Sequence, residues 1–234
     1  MAEYIDIQAT DGSGSFKAYV AKPAGGTGPA VVAIQEIFGV NGGMRQISDD
    51  LAAQGYIAIC PDLFWRQEPG VDITDKSKEE WDKAFSLMQG FDMDKGIEDI
   101  AATIDVVRAM DGCSGKVGAV GYCLGGRLAY MTAARTDIDA SVSYYGVGID
   151  TLLDEAGNIK KPLMMHIAEE DGFVDKDAQA RIHKGLDGHP LVSLFDYAGV
   201  DHAFARPDGI NWNGQAANLA NSRTKEFFEK NLKG

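Results

Sequence analysis

The chain has 234 residues, 45% hydrophobic and 24% charged. This suits one globular domain with its own core and excludes disordered, collagen-like and fibrous classes. The formal net charge of -13 disfavours nucleic acid and anionic membranes as partners, because binding phosphates requires clustered Lys and Arg. If the substrate is itself an anion, a cation near the site must offset that field.

Read in chain order, Tyr4 to Gln8 and Phe16 to Ala21 alternate apolar and polar residues around the turn Asp11-Gly12-Ser13-Gly14, which predicts an antiparallel opening pair. A glycine-rich loop from Pro23 to Pro29 leads into Ala30 to Gln35, a run apolar enough for a strand buried on both faces. A helix is expected over Gly43 to Ala53. Tyr56 to Cys60 then reads as a second buried strand stopped by Pro61. Lys76 to Gln89 and Asp94 to Met110 have helical spacing, and Val117 to Val120 is a third buried strand. The remainder alternates: helix Leu124 to Ala134, strands Ala140 to Tyr145 and Leu163 to Ile167, helix Asp175 to Lys184, strand Leu191 to Tyr197, and a closing helix from Gln215 to Asn231. The order predicts a single domain over 1–234, of α/β class, with a mostly parallel sheet flanked by helices and an antiparallel start. No apolar run approaches the ~20 residues that span a bilayer. The start Met-Ala-Glu-Tyr-Ile-Asp has no signal-peptide pattern, so a cytoplasmic protein is expected.

The three cysteines, Cys60, Cys113 and Cys123, do not form a disulfide framework or a zinc spacing. Cys60 ends an apolar strand and reads as core, while Cys113 lies in the turn Asp111 to Gly115. Cys123 differs. It stands in Gly121-Tyr122-Cys123-Leu124-Gly125-Gly126, after an apolar strand and before a helix. That is the setting of a nucleophile elbow, with Cys in place of Ser. The two glycines leave room for a tight turn, and the Leu124 amide, at a helix N-terminus, can donate to an oxyanion and favour a thiolate.

A thiol nucleophile needs a base, and the base needs an orienting group. His202 follows the strand Leu191 to Tyr197, and Asp171 follows Leu163 to Ile167, so both lie where a parallel sheet places its site. Glu169, Glu170 and Asp175 compete with Asp171, which is preferred because Gly172 permits a sharp turn. His166 reads as a core residue, and His183 and His189 read as surface.

These residues resemble the dienelactone hydrolase (carboxymethylenebutenolidase) family. The resemblance runs through Gln35-Glu36-Ile37-Phe38-Gly39-Val40-Asn41, Cys60-Pro61-Asp62-Leu63, Phe91-Asp92-Met93, Gly121 to Gly126, Tyr144-Tyr145-Gly146 and His202-Ala203-Phe204-Ala205-Arg206. It implies an α/β-hydrolase fold, the triad Cys123, Asp171 and His202, and Glu36 holding or taking the thiol proton. It further implies that the Ile37 amide is the second oxyanion donor beside Leu124, and that Arg206 binds the substrate carboxylate. The implied reaction opens an enol-lactone to maleylacetate, with no metal or organic cofactor, in a monomer. Trp81 stands where the family has a second carboxylate-binding arginine, with Lys78 and Lys83 close in sequence. This departure keeps open a broader carboxylesterase or thioesterase, and less favoured still a binding protein or thiol redox sensor.

Overall fold

A computed structural model describes residues 2–234. The chain forms two compact units, residues 1–119 and 120–234.

In the first unit, β1 (Ala2–Gln8) and β2 (Ser15–Ala21) form an antiparallel hairpin in the register Tyr4↔Tyr19 and Gln8↔Ser15. The Asp11 carboxylate closes the turn by accepting the Ser13 N–H at 3.0 Å. β4 (Ile57–Pro61) lies antiparallel to β2 and parallel to β3 (Gly28–Ile34). β4 is buried throughout and β3 from Pro29 onward, as continuous apolar runs require. α1 (Gly42–Ala53) starts at Asn41, whose side chain caps the Met44 N–H. α2 (Lys78–Gln89) starts later than its periodicity suggests. Ser77 is the N-cap, accepting from Glu80 N–H while its hydroxyl donates to the Glu80 carboxylate, which also accepts the Thr74 N–H at 2.8 Å. α3 (Met93–Arg108) begins at the Asp92 cap.

One buried carboxylate ties this unit together. The Asp99 side chain, 1% exposed, accepts from Arg66 at 2.8 Å and from Trp65 Nε1 at 2.8 Å.

β5 (Cys113–Tyr122) carries the chain into the second unit. It starts four residues before the apolar run, so Cys113 opens a strand and does not sit in a turn. Its first residues are polar and largely exposed, which is why hydropathy alone misses them. The second unit continues with α4 (Leu124–Arg135), β6 (Ala140–Tyr144), β7 (Leu163–Ala168), α5 (Lys176–Leu186), β8 (Val192–Tyr197) and α6 (Gly214–Phe228). β6, β7 and β8 run parallel, with Tyr144, His166 and Phe195 in register. α4 packs on β6, α5 on β8 and α6 on β7. The C-terminal ends of these strands therefore share one edge, and the loops after Tyr144, Ala168 and Tyr197 converge there. Among the described residues, no helix is long and apolar enough to cross a membrane.

A buried polar network crosses this unit. His166 pairs with the Tyr197 hydroxyl at 2.8 Å and with Thr224 Oγ1 at 2.9 Å, and Thr224 also meets the Tyr144 hydroxyl at 2.7 Å. Burial, aided by the Arg223 charge, pushes the His166 pKa down to about 3. Its unfolded value is about 6.5, so below that pH the unfolded chain binds the proton first. The contribution of this group to stability is present above pH ~6.5 and is lost as pH falls toward 3. Urea titrations are expected to show a midpoint falling with acid over this range, with part of the slope absent in His166→Gln. An unchanged slope in the variant would assign the acid sensitivity to other groups.

Candidate active site

The turn between β5 and α4 is sterically specified. A Cβ on Gly121 would lie 1.9 Å from the Gly125 carbonyl oxygen, and one on Gly126 would lie 2.5 Å from the Tyr144 carbonyl oxygen. Only glycine allows these backbones to approach so closely. Cys123 itself takes φ 56° and ψ -115°, a conformation that costs a non-glycine residue roughly 1–3 kcal/mol. It is held there because its N–H donates to Tyr144 O at 3.1 Å and its C=O accepts from Arg127 N–H at 3.2 Å. Leu124 opens α4, where first-turn amides lack intrahelical acceptors and favour negative charge. Gly121→Ala should destabilise the protein by about 3 kcal/mol through backbone overpacking. A depressed urea midpoint together with lost activity is the expected pair of results.

His202 stands in the loop after β8. His202 Nδ1 lies 2.9 and 3.1 Å from the two Asp171 carboxylate oxygens, and both side chains are almost fully buried. Asp171 Oδ1 also accepts the Phe173 and Val174 N–H groups at 2.8 and 3.2 Å. The carboxylate is thus fixed by its own loop before it meets the imidazole. Of the competing acids, Asp175 is the N-cap of α5, and Glu170 pairs with Lys176. Burial on its own would lower the His202 pKa. The charge of Cys123 and the Asp171 hydrogen bond outweigh it and push the imidazole up to about 10. Among the described residues, Nε2 is buried without a partner in hydrogen-bond geometry. The influence of the Cys123 sulfur on the ring is therefore one of charge more than of a formed hydrogen bond.

Several supports were not evident in the sequence. Asp201 Oδ1 accepts both the His202 N–H (2.6 Å) and the Gly172 N–H (2.9 Å), joining the loops that carry His202 and Asp171. Asn211 donates to His202 O at 2.9 Å. The Tyr145 and Phe173 rings stand edge-on to the imidazole, with centroids 5.1 and 4.8 Å away. Only the adjacency of Asp201 to His202 could have hinted at any of this.

His166 is the satisfied core residue expected. His183, between Asp187 and Asp196, lies at the surface. Cys60 is fully buried, and burial pushes its thiol pKa up, consistent with core packing. Arg206 lies buried in the loop after His202.

Glu36, Ile37 and Trp81 belong to the first unit. Glu36 is 4% exposed, which rules out a solvated loop carboxylate. Trp81 packs edge-on to Phe38 at 5.1 Å, stacks on Phe85 at 5.3 Å and donates from Nε1 to Asp75 O. Lys78 pairs with Asp82, and Lys83 with Glu68, so both lysine charges are engaged at the surface.

The parallel strands with helices upon them, the strained Cys123 turn and the Asp171–His202 pair define an α/β-hydrolase. A solved structure of a provisionally assigned dienelactone hydrolase from Klebsiella pneumoniae matches with a TM-score of 0.84 at 24% identity, over 98% of this chain and 99% of that one. The dienelactone hydrolase family model matches residues 16–232, and the chain belongs to that family. It is 54% identical to an Azospirillum brasilense protein provisionally named carboxymethylenebutenolidase, over 97% of this chain and 98% of that protein. It is 40% identical to the carboxymethylenebutenolidase of Pseudomonas putida, over 97% and 96%.

Proposed function

We propose that residues 1–234 act as one catalytic domain that opens a dienelactone-type enol-lactone to maleylacetate, with Cys123 as nucleophile. The observation that carries this reading is the 2.9 Å Asp171–His202 pair in the same unit as the strained Cys123 turn. His202 takes the Cys123 proton, and Asp171 holds the imidazole in the required tautomer. The thiolate attacks the lactone carbonyl to form a tetrahedral oxyanion, and the Leu124 amide stabilises that charge by roughly 3–4 kcal/mol. The carbonyl re-forms as the ring C–O bond breaks, leaving an acyl thioester and an enolate that takes the proton back from His202 and becomes the enol. His202 then takes a proton from water, hydroxide adds to the thioester, and the C–S bond breaks to return the thiolate. The released enol tautomerises to the ketone.

Family resemblance supports adding Glu36 as proton holder, Ile37 as second amide donor and Arg206 as the carboxylate-binding cation. A guanidinium suits the last task because it can grip both oxygens. Resemblance also supports a monomer, and the net charge of -13 suits a cytoplasmic enzyme not held on anionic membranes. Trp81 favours a second reading, a broader carboxylesterase or thioesterase, because an indole packed on Phe38 supplies no cation. Dienelactone hydrolysis measured beside p-nitrophenyl acetate separates the two. Fast loss of dienelactone supports the lactonase, and turnover of the simple ester alone supports the esterase.

A further inference from the structure

The surroundings of His202 point to a determinant of leaving-group choice. We propose that Phe173 is the specificity-determining wall for the leaving group and selects flat unsaturated ones, aryl or enol, over saturated alkyl ones. This deepens the hydrolase reading above and rests on it.

Phe173 is one of few large apolar side chains left open, at 52% exposure. Its place is set by the catalytic pair. It lies two residues after Asp171, and its N–H donates to Asp171 Oδ1 at 2.8 Å. Its ring centroid lies 4.8 Å from that of His202, with the planes at 69°. Tyr145 also covers the imidazole, at 5.1 Å, but is 2% exposed. Of the two rings, Phe173 is therefore the one that presents surface beside the base.

The chemistry fixes what meets that surface. His202 Nδ1 is committed to Asp171, so any proton exchanged with a leaving oxygen passes through Nε2. That oxygen must come within ~3 Å of Nε2. The rest of the leaving group then lies against whatever flanks the imidazole. A conjugated or aromatic group gains contact with the Phe173 ring beyond simple area burial, and a saturated chain does not. The acyl part of the substrate is bonded to Cys123 and is not selected by this wall.

The test uses the full chain and two acetate esters, p-nitrophenyl acetate and 2,2,2-trifluoroethyl acetate. Both acylate Cys123 with the same acetyl group, so the ratio of their kcat/KM values isolates the leaving-group step. Comparing each variant with wild type cancels the intrinsic reactivity of the esters. The aryl-to-alkyl ratio is expected to fall roughly tenfold in Phe173→Ala. It should fall likewise in Phe173→Leu, which keeps apolar bulk without the ring and guards against misfolding of the smaller variant. A fall of both esters in equal proportion, or an unchanged ratio, would overturn the wall and leave Phe173 as packing for His202. Cys123→Ala is the control. Turnover that survives there overturns the Cys123 nucleophile assignment on which the proposed function rests, whereas lost turnover there with an unchanged Phe173 ratio overturns the wall alone.

Discussion

Replacing Cys123 by alanine is expected to lower kcat/KM on dienelactone and on p-nitrophenyl acetate by on the order of 10⁴- to 10⁶-fold. Neither of the other cysteines is placed to take over its role. Cys60 is fully buried with its thiol pKa pushed up, and Cys113 opens β5 on its exposed end. The loss should come without unfolding. The Cys123 side chain is small, and the turn is held by backbone bonds to Tyr144 and Arg127 that alanine retains. The folded fraction is read by circular dichroism beside the kinetics, and an acyl-enzyme adduct of one acetyl group should appear by mass spectrometry only where Cys123 is present. Turnover within tenfold of wild type in a folded Cys123→Ala protein would remove the nucleophile assignment. Hydrolysis would then have to proceed by direct attack of water.

Asp171→Asn is expected to cost roughly 10³- to 10⁴-fold in kcat while leaving the protein folded. The amide has nearly the same shape, and its oxygen can still accept from Phe173 and Val174. What changes is the face toward His202. An NH₂ group set against Nδ1 makes that nitrogen an acceptor and moves the imidazole proton to Nε2, where the base should be unprotonated. The electrostatics predict the pH response. The hydrogen bond and charge of Asp171 both help to hold the His202 pKa up at about 10. Removing them lets the imidazolium lose its proton at lower pH, so the acid limb of the kcat/KM profile, along which the base becomes unprotonated, should move down. A variant with both the wild-type rate and the wild-type profile would show that the short Asp171–His202 pair is structural and not part of the chemistry.

Much of the fold is local in origin and therefore legible. Doubly buried strands such as Ala30 to Gln35 announce themselves as continuous apolar runs, and caps such as Asn41 and Asp92 act within three residues of themselves. The Cys123 turn is legible for the same reason. Gly121, Cys123 and Gly125 meet within one tight bend, so the need for glycine is written in adjacent positions and confirmed by the 1.9 Å approach at Gly121. The boundaries were less so. Cys113 opens β5 because a strand can continue on hydrogen bonds after its side chains turn polar, and the start of α2 was decided by Ser77.

By itself the sequence determined the α/β class, the tight glycine-framed turn at Cys123, and the order in which Asp171 and His202 follow it, because each depends on short-range sterics or on strand succession. Only the tertiary structure decided that Asp171, and not Glu169, Glu170 or Asp175, meets His202, and that Asp201 ties their loops together. It alone placed Phe173 against the imidazole, buried Glu36, and paired Lys78 and Lys83 at the surface. These contacts join residues up to 31 positions apart. They come into being when parallel strands align their ends, and no local pattern of polarity records which side chains that alignment brings together.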